Sequence, residues 1–251
     1  MKVSIITVCL NSSATIKDCL DSIRRQKYKN IESVIVDGGS TDNTLDIIKE
    51  FPDIVSAIIS EDGLGIYDAM NKGFHISTGH ILGILNSDDL LSDSSVIEDI
   101  VNTFEKNSDR KVLYGDLVYV KSDKIQEITR YWKAGLNSLS KFKMGWMPPH
   151  PTFYITRDVF EKVGGYKNSM GTAADYEFML RVMVKFGFRA IYLPKVLVKM
   201  RRGGISNGSL QRRLKANIQD RIAWKVNKLS PHLLFNLFKP LRKIPQYFIR
   251  K

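Results

Sequence analysis

Residues 81–91 read ILGILNSDDLL. The five apolar residues Ile81 to Leu85 have the length and composition of a buried strand. The run breaks at Asn86-Ser87-Asp88-Asp89, and apolar residues then resume. Adjacent carboxylates repel each other, and burying them uncompensated is costly. In an open α/β sheet, ligands bind at the carboxyl ends of the strands. A pair of acids at such an end suits a hard divalent cation, which takes oxygen ligands and shares its site with substrate phosphates. The plainer alternative is a solvated turn that caps the next helix.

The pattern around this stretch supports the α/β reading. Val3 to Leu10 is too apolar to alternate and is predicted as a central, parallel strand. Asn11-Ser12-Ser13 supplies turn and capping side chains before a helix over Ala14 to Gln26, with Ile16, Leu20 and Ile23 on one face. A second strand, Ile31 to Val36, ends in Asp37-Gly38-Gly39-Ser40-Thr41-Asp42. Thr44 to Glu50 is helical, Ile54 to Ser60 is a strand, and Gly65 to Ser77 is a helix closed by Gly79 as its cap. After the Ile81 strand come a helix over Ser94 to Lys106 and a strand over Val112 to Val120. Strand–helix alternation of this kind predicts a doubly wound, mostly parallel sheet. Three polar clusters then share one edge: Asn11, Asp37 to Asp42, and Asn86 to Asp89.

The second half is less regular. Met144 to Pro151 is a loop rich in proline and aromatic character. Thr152 to Ile155 is a short strand, Arg157 to Val163 a helix, Asp175 to Phe186 an amphipathic helix, and Ile191 to Met200 a strand. Neither GxGxxG after the first strand nor GxxxxGK[ST] occurs, which removes the main support for dinucleotide and P-loop sites. No repeat or low-complexity segment is visible. Cys9 and Cys19 lack a CxxC or zinc-like spacing and are expected to be small buried hydrophobes. The first residues run straight into a strand without a signal-type cleavage site, which predicts a cytoplasmic chain.

Charge is unevenly placed. The net charge is +12 over 251 residues. From Arg201 to Lys251 there are 13 Lys and Arg against one acid, Asp220, while the first 200 residues hold 25 of each sign and sum to zero. The basic excess belongs to the C-terminal tail. There Leu233, Leu234, Phe235, Leu237, Phe238, Leu241, Ile244, Tyr247, Phe248 and Ile249 interleave with Lys239, Arg242, Lys243, Arg250 and Lys251. That mixture suits the anionic inner leaflet of the cytoplasmic membrane better than nucleic acid. The alternative is a basic helix packed on the main domain.

In chain order, the segments SIITVCLN, VDGGSTDNT, GIYDAMNKGFHISTG, ILGILNSDD, HPTFYITRDVFEKVGGY and AADYEFMLR resemble the family 2 glycosyltransferases of GT-A fold. They resemble most the branch that builds bacterial surface polysaccharides. The resemblance implies a Rossmann-like catalytic domain over 1–206, with nucleotide-sugar binding in 1–120 and acceptor binding in 121–206, followed by a tail over 207–251. It implies an inverting transfer from a nucleotide sugar, commonly a UDP-sugar, to a lipid-linked acceptor, with Mn²⁺ or Mg²⁺ as cofactor.

The resemblance also implies roles. Thr7, Asn11, Asp37, Gly38, Lys72, Asn86 and Asp88 would line the donor, with Asp37 accepting from the base. The acidic family triplet D-x-D falls on Asn86-Ser87-Asp88, so an amide replaces the first carboxylate, and Asp88 and Asp89 become the metal ligands. Asp175 falls where the family's general base sits, with Glu177 as the fallback. Trp146, His150, Arg201 and Arg202 are candidates for acceptor or diphosphate contact. A nucleotidyltransferase would want a Gly-rich, Arg-containing loop after strand one, where this chain has Asn11-Ser12-Ser13-Ala14. A non-enzymatic binder with a decayed site is opposed by the retained Asp37, Asp88, Asp89 and Asp175.

Overall fold

The computed structural model describes residues 1–202, 210–233, 235 and 246, the side chains of 210–217 excepted. The chain runs β1 (Val3–Cys9), α1 (Ile16–Arg24), β2 (Ile31–Asp37), α2 (Thr44–Lys49), β3 (Val55–Ser60), α3 (Ile66–Ile76) and β4 (Ile81–Ile84). Next come β5 (Asp89–Leu91), α4 (Val96–Lys106), β6 (Val112–Val120), β7 (Ile128–Trp132) and α5 (Leu139–Lys143). The last elements are β8 (Tyr154–Thr156), α6 (Arg157–Val163), α7 (Ala174–Leu180), β9 (Ala190–Arg201) and α8 (Leu210–Val226). A π-helical segment, Arg181–Lys185, extends α7.

One sheet has the order β3-β2-β1-β4-β8-β6-β9-β5, with β7 paired to β6. Its first half is parallel, as expected from the apolar strands: β1 pairs with β2 and β4, and β2 with β3. The second half is mixed. The short β8 lies antiparallel between β4 and β6, β9 runs parallel to β6, and β5 lies antiparallel to β9. The Asp88-Asp89 step therefore carries the chain from the end of β4 to the far edge strand, opposite Met200.

The alternation of side chains along β1 splits the core into two layers. Ile5 faces Ile16, Cys19, Leu20 and Ile23 of α1 and Val96, Ile97 and Ile100 of α4. Ile6 and Val8 face Ala69, Met70 and Phe74 of α3, together with α6 and α7. Cys9 and Cys19 are both free and buried, as expected.

Two expectations change. Gly79 is not the cap of α3: the helix ends at Ser77 in an extended conformation. Gly79 is required because a Cβ there would fall 2.7 Å from the Ser4 backbone nitrogen. The C-terminal segment is not an appendage beginning at 207 either. Ala223, Trp224 and Phe235 belong to the main core, and Trp224 and Phe235 are 1% and 0% exposed. Trp224 Nε1 donates to the Tyr176 hydroxyl at 2.9 Å. Of the two readings of the tail, packing on the domain describes α8. Leu234, Leu237, Phe238 and the other tail residues of the membrane reading beyond Phe235 lie outside the described residues.

Candidate active site

The three polar clusters converge at the carboxyl ends of β1, β2 and β4, and hydrogen bonds join their loops. Asn11 adopts a left-handed conformation (φ 48°), which asparagine tolerates better than most residues. Its backbone N–H donates to Ser40 Oγ at 2.8 Å, and its Oδ1 accepts from the Thr41 N–H at 2.9 Å. Ser12 and Ser87 join through their hydroxyls at 2.9 Å. Asn11 remains exposed at this mouth.

Asp37 is enclosed by its own turn. It is 0% exposed, and its oxygens accept from the Gly39 and Ser40 N–H groups (3.1 and 2.9 Å) and the Ser40 and Ser60 hydroxyls (2.5 and 2.7 Å). Burial alone would raise its pKa, but these hydrogen bonds outweigh burial and hold the carboxyl below its ordinary value. Asp37 thus fixes the Gly38-Gly39-Ser40 turn, where Gly39 has φ 91°. Gly38 is buried with its N–H on the Cys9 carbonyl at 2.9 Å, and Thr7 is enclosed in the sheet beside the Cys19 thiol. Thr7 and Asp37, both expected to line the donor, are 0% exposed. An exposed carboxylate at this mouth is Asp62, which packs against Gly39 and which sequence reasoning passed over. Lys72 is half-buried and ion-paired to Glu61 at the end of β3.

Asn86, Asp88 and Asp89 form a compact oxygen cluster. Asn86 Nδ2 donates to Asp89 Oδ2 at 3.2 Å. Asn86 Oδ1 and Asp89 Oδ1 are buried and find no hydrogen-bond partner among the described residues. Burial raises the pKa of Asp88; burial and then the Asp88 charge raise that of Asp89 well above its ordinary value. Arg201 is the nearby cation, but it is 4% exposed and committed. Its Nη2 pairs with Asp18 and its Nη1 donates to the Asp88 carbonyl at 3.0 Å. Arg201 therefore anchors the Asp88 loop and does not meet a phosphate as it stands. Arg202 is exposed.

This oxygen set fits a hard divalent cation: two buried acceptors lack donors, and two carboxylates lack a free counter-charge. No group of three or more His, Cys, Asp or Glu able to hold a metal occurs among the described residues. A cation here would depend on substrate oxygens to complete its shell, as Mg²⁺ usually does.

Asp175 lies in the first turn of α7, whose other residues are all buried. Its side chain is 30% exposed, and its Oδ1 has no hydrogen-bond partner, with His150 Nε2 standing 3.5 Å away. Tyr67, from the first turn of α3, faces the Asp175 carboxylate and backbone N–H. Burial raises the Asp175 pKa; His150 and Tyr67 oppose it, and Asp220 adds to it. His150 Nε2 is hydrogen-bonded to the Tyr166 hydroxyl at 2.7 Å. Tyr67 ties this cluster to the carboxyl ends of β1 and β2, since Leu64, three residues earlier, carries the carbonyl nearest the Gly38 α-carbon face. Tyr67, Tyr166 and Asp220 had no sequence signal strong enough to single them out.

Two acceptor-side expectations are corrected. Trp146 is 7% exposed, donates to the Ala134 carbonyl at 2.9 Å and packs edge-on against Tyr114 and Phe142, so it fills a loop and offers no sugar platform. Glu177 is 0% exposed and bound by Arg181 (3.0 Å), Lys167 (2.9 Å) and Asn227 (3.0 Å). Its oxygens are taken up by these core partners.

The model of the glycosyl transferase family 2 matches residues 4–170. A protein of Mycobacterium bovis (strain BCG / Pasteur 1173P2), named a PGL/p-HBAD biosynthesis glycosyltransferase, is 31% identical over 208 residues, covering 81% of this chain and 78% of its own. Among solved structures, Staphylococcus aureus TarS 1-349 with UDP superposes at a TM-score of 0.66 and 18% identity, over 89% of this chain and 65% of that one. A mannosyltransferase of Pyrobaculum calidifontis with GDP-Man and Mn²⁺ gives 0.67 at 18% identity, over 96% and 69%. At these identities the structural likeness is one of GT-A fold. The family match and the mycobacterial relative make this chain a member of glycosyl transferase family 2, a glycosyltransferase.

Proposed function

We propose that the chain transfers a hexose or N-acetylhexosamine from a UDP-sugar to a lipid-linked oligosaccharide, with inversion, in a surface-polysaccharide pathway. The carrying observation is Asp175: a carboxylate on a buried helix, partly exposed, with an unpartnered oxygen and a pKa raised first by burial. A raised pKa makes it a better base at neutral pH. Asp175 takes the proton from the acceptor hydroxyl as that oxygen bonds to the anomeric carbon. The bond from that carbon to the diphosphate breaks in the same step, and its electron pair leaves with the diphosphate. Asp88 and Asp89, with the Asn86 amide oxygen beside them, would hold Mn²⁺ or Mg²⁺, which would supply positive charge for the leaving group. Arg201 keeps the Asp88 backbone in place, and Asn11 lines the donor mouth. The nucleotide donor is supported by structural neighbours holding UDP, UDP-GlcNAc or GDP-Man with Mn²⁺.

The proposed site of action is the cytoplasmic face of the membrane. Among the described residues no helix is long and apolar enough to cross a bilayer. On the outer side of α8, Ile218, Ile222 and Val226 recur at every fourth residue and are 59%, 44% and 44% exposed. Lys225 and Lys228 are exposed beside them. An apolar stripe with cations at its border suits an anionic lipid surface.

The test is turnover of UDP-glucose, UDP-galactose, UDP-N-acetylglucosamine and GDP-mannose, each with Mn²⁺ and with EDTA. Release of UDP from a UDP-sugar, abolished by EDTA, is expected. Turnover of GDP-mannose alone refutes the UDP donor, and undiminished turnover in EDTA refutes the metal.

A further inference from the structure

Tyr166, in the loop after α6, is 6% exposed and carries a hydroxyl into the site. A buried phenol proton needs an acceptor. Burial pushes the Tyr166 hydroxyl well above its ordinary pKa, so the proton stays on it at neutral pH. Among the described residues its one hydrogen-bond partner is His150 Nε2, at 2.7 Å. The same nitrogen stands 3.5 Å from Asp175 Oδ1, which is buried and has no hydrogen-bond partner. Nε2 can carry a proton and donate it, or it can be bare and accept from the phenol. The distances separate these states. A charge-assisted N–H···O⁻ bond closes to about 2.7–2.9 Å, and the contact with Asp175 is longer than that. The short contact is the one to Tyr166. A protonated Nε2 donating to Tyr166 would leave the phenol proton buried without an acceptor, whereas a bare Nε2 takes it. Nδ1 then carries the ring proton, and it is not one of the buried polar atoms that lack a partner.

Tyr166 is held from α3 so that its hydroxyl stays in this place. Asn71 Nδ2 donates to the Tyr166 carbonyl at 2.9 Å, and the Tyr166 N–H donates to Asn71 Oδ1 at 2.7 Å. This two-bond clamp requires glycine at the preceding position, because a Cβ on Gly165 would collide with Asn71 Oδ1. The Tyr166 ring stacks on Phe74 (5.9 Å between centroids) and leans on Tyr67 (5.6 Å) and Phe178 (4.5 Å). Tyr67, Asn71 and Phe74 follow the i, i+4, i+7 spacing of one face of α3. We propose that Tyr166 is a positioning residue whose hydroxyl donates to His150 Nε2, fixes the imidazole in its Nδ1–H form, and so keeps His150 from capping Asp175 Oδ1. This rests on the assignment of Asp175 as the base. A carboxylate oxygen that already accepts a strong hydrogen bond loses proton affinity. With Nε2 bare, Oδ1 is left for the proton of the acceptor hydroxyl.

The test reads the ring directly. The full chain is labelled with ¹⁵N at histidine, and His75, His80 and His232, all exposed, are replaced by Gln so that the His150 ring alone is seen. Spectra are taken at about pH 8, where an ordinary imidazole is neutral. Nε2 should resonate as a bare nitrogen and Nδ1 as a protonated one. A protonated Nε2 overturns the proposal, whether or not any Tyr166 variant folds. In Tyr166→Phe the proton should move to Nε2, because Asp175 is then the acceptor left at 3.5 Å. In that variant kcat should fall by roughly 10–10²-fold, part of what a general base supplies, with the KM for the UDP-sugar near wild type. A Tyr166→Phe chain that keeps Nδ1–H, or one that moves the proton and still transfers at the wild-type rate, overturns the proposal. If Asp175→Asn is fully active in transfer while both ring nitrogens read as stated, the base assignment fails and the Tyr166–His150 bond stands.

Discussion

Replacing Glu177 by Gln separates a core carboxylate from a catalytic one. Glu177 is 0% exposed and Arg181 4% exposed. Arg181 donates to Glu177 through Nε at 3.0 Å and Nη2 at 3.0 Å, and its other donors reach the carbonyls of Val163, Gly164 and Gly165. Gln keeps the shape but removes the charge, leaving a buried guanidinium without its counter-ion. Breaking one side of a buried pair costs about 3–5 kcal/mol. The three carbonyl contacts remain, so the expected loss is at the low end, about 3 kcal/mol. At roughly 2–4 °C per kcal/mol for a chain of this size, the melting midpoint should fall by about 6–12 °C.

The pH dependence has a definite sign. Burial would raise the Glu177 pKa from 4.5, but Arg181, Lys167 and Asn227 outweigh it, so the folded value lies below the unfolded one. The pair's contribution is present above the unfolded pKa and is lost as pH falls through the lower folded pKa. The gap between wild type and Glu177→Gln in thermal melts should be full at neutral pH and close in acid. Transfer per folded molecule should persist. A variant that melts like wild type at pH 7 and has lost activity refutes the structural role and returns Glu177 as the base.

Other outcomes follow from the same contacts. Trp224→Ala should destabilise by about 3–5 kcal/mol in urea titrations, and truncation after residue 208 should fail to fold. A stable, monomeric truncation would make the tail an appendage after all. Asp37→Asn removes an acceptor from buried N–H and hydroxyl donors and should cost about 2 kcal/mol or more, with UDP binding by the folded fraction unchanged in calorimetry. Full stability with lost UDP binding would restore Asp37 as a base-contacting residue.

The parallel half of the fold was readable because β1, β2 and β4 are continuous apolar runs whose ends are marked by polar turns. β5 was not readable, since its three residues, Asp89–Leu91, pair only with distant β9. β7 was missed for a related reason: Ile128–Trp132 mixes polar and apolar residues and gains its partner from β6. Residue type showed where acids cluster but not which of them are already satisfied. Asp37 and Asp88 look alike in sequence, yet five donors fill Asp37 while Asp88 stands half-buried beside unpartnered oxygens. Summed charge likewise concealed that Ala223, Trp224 and Asn227 turn one face of a basic helix into core. The resemblance singled out Asp175, which the structure leaves partly exposed with one carboxylate oxygen lacking a hydrogen-bond partner. Tyr67 and Asp220, which surround it, come from elements about 100 and 45 residues away in the chain and meet it only in the folded state.

The central claim is that Asp175 takes the acceptor proton. Asp175→Asn, tested beside wild type with the UDP-sugar found active, measures it most directly. The account predicts transfer reduced by about 10²–10⁴-fold, with UDP affinity and the melting midpoint close to wild type. An Asp175→Asn enzyme that transfers at the wild-type rate contradicts the account.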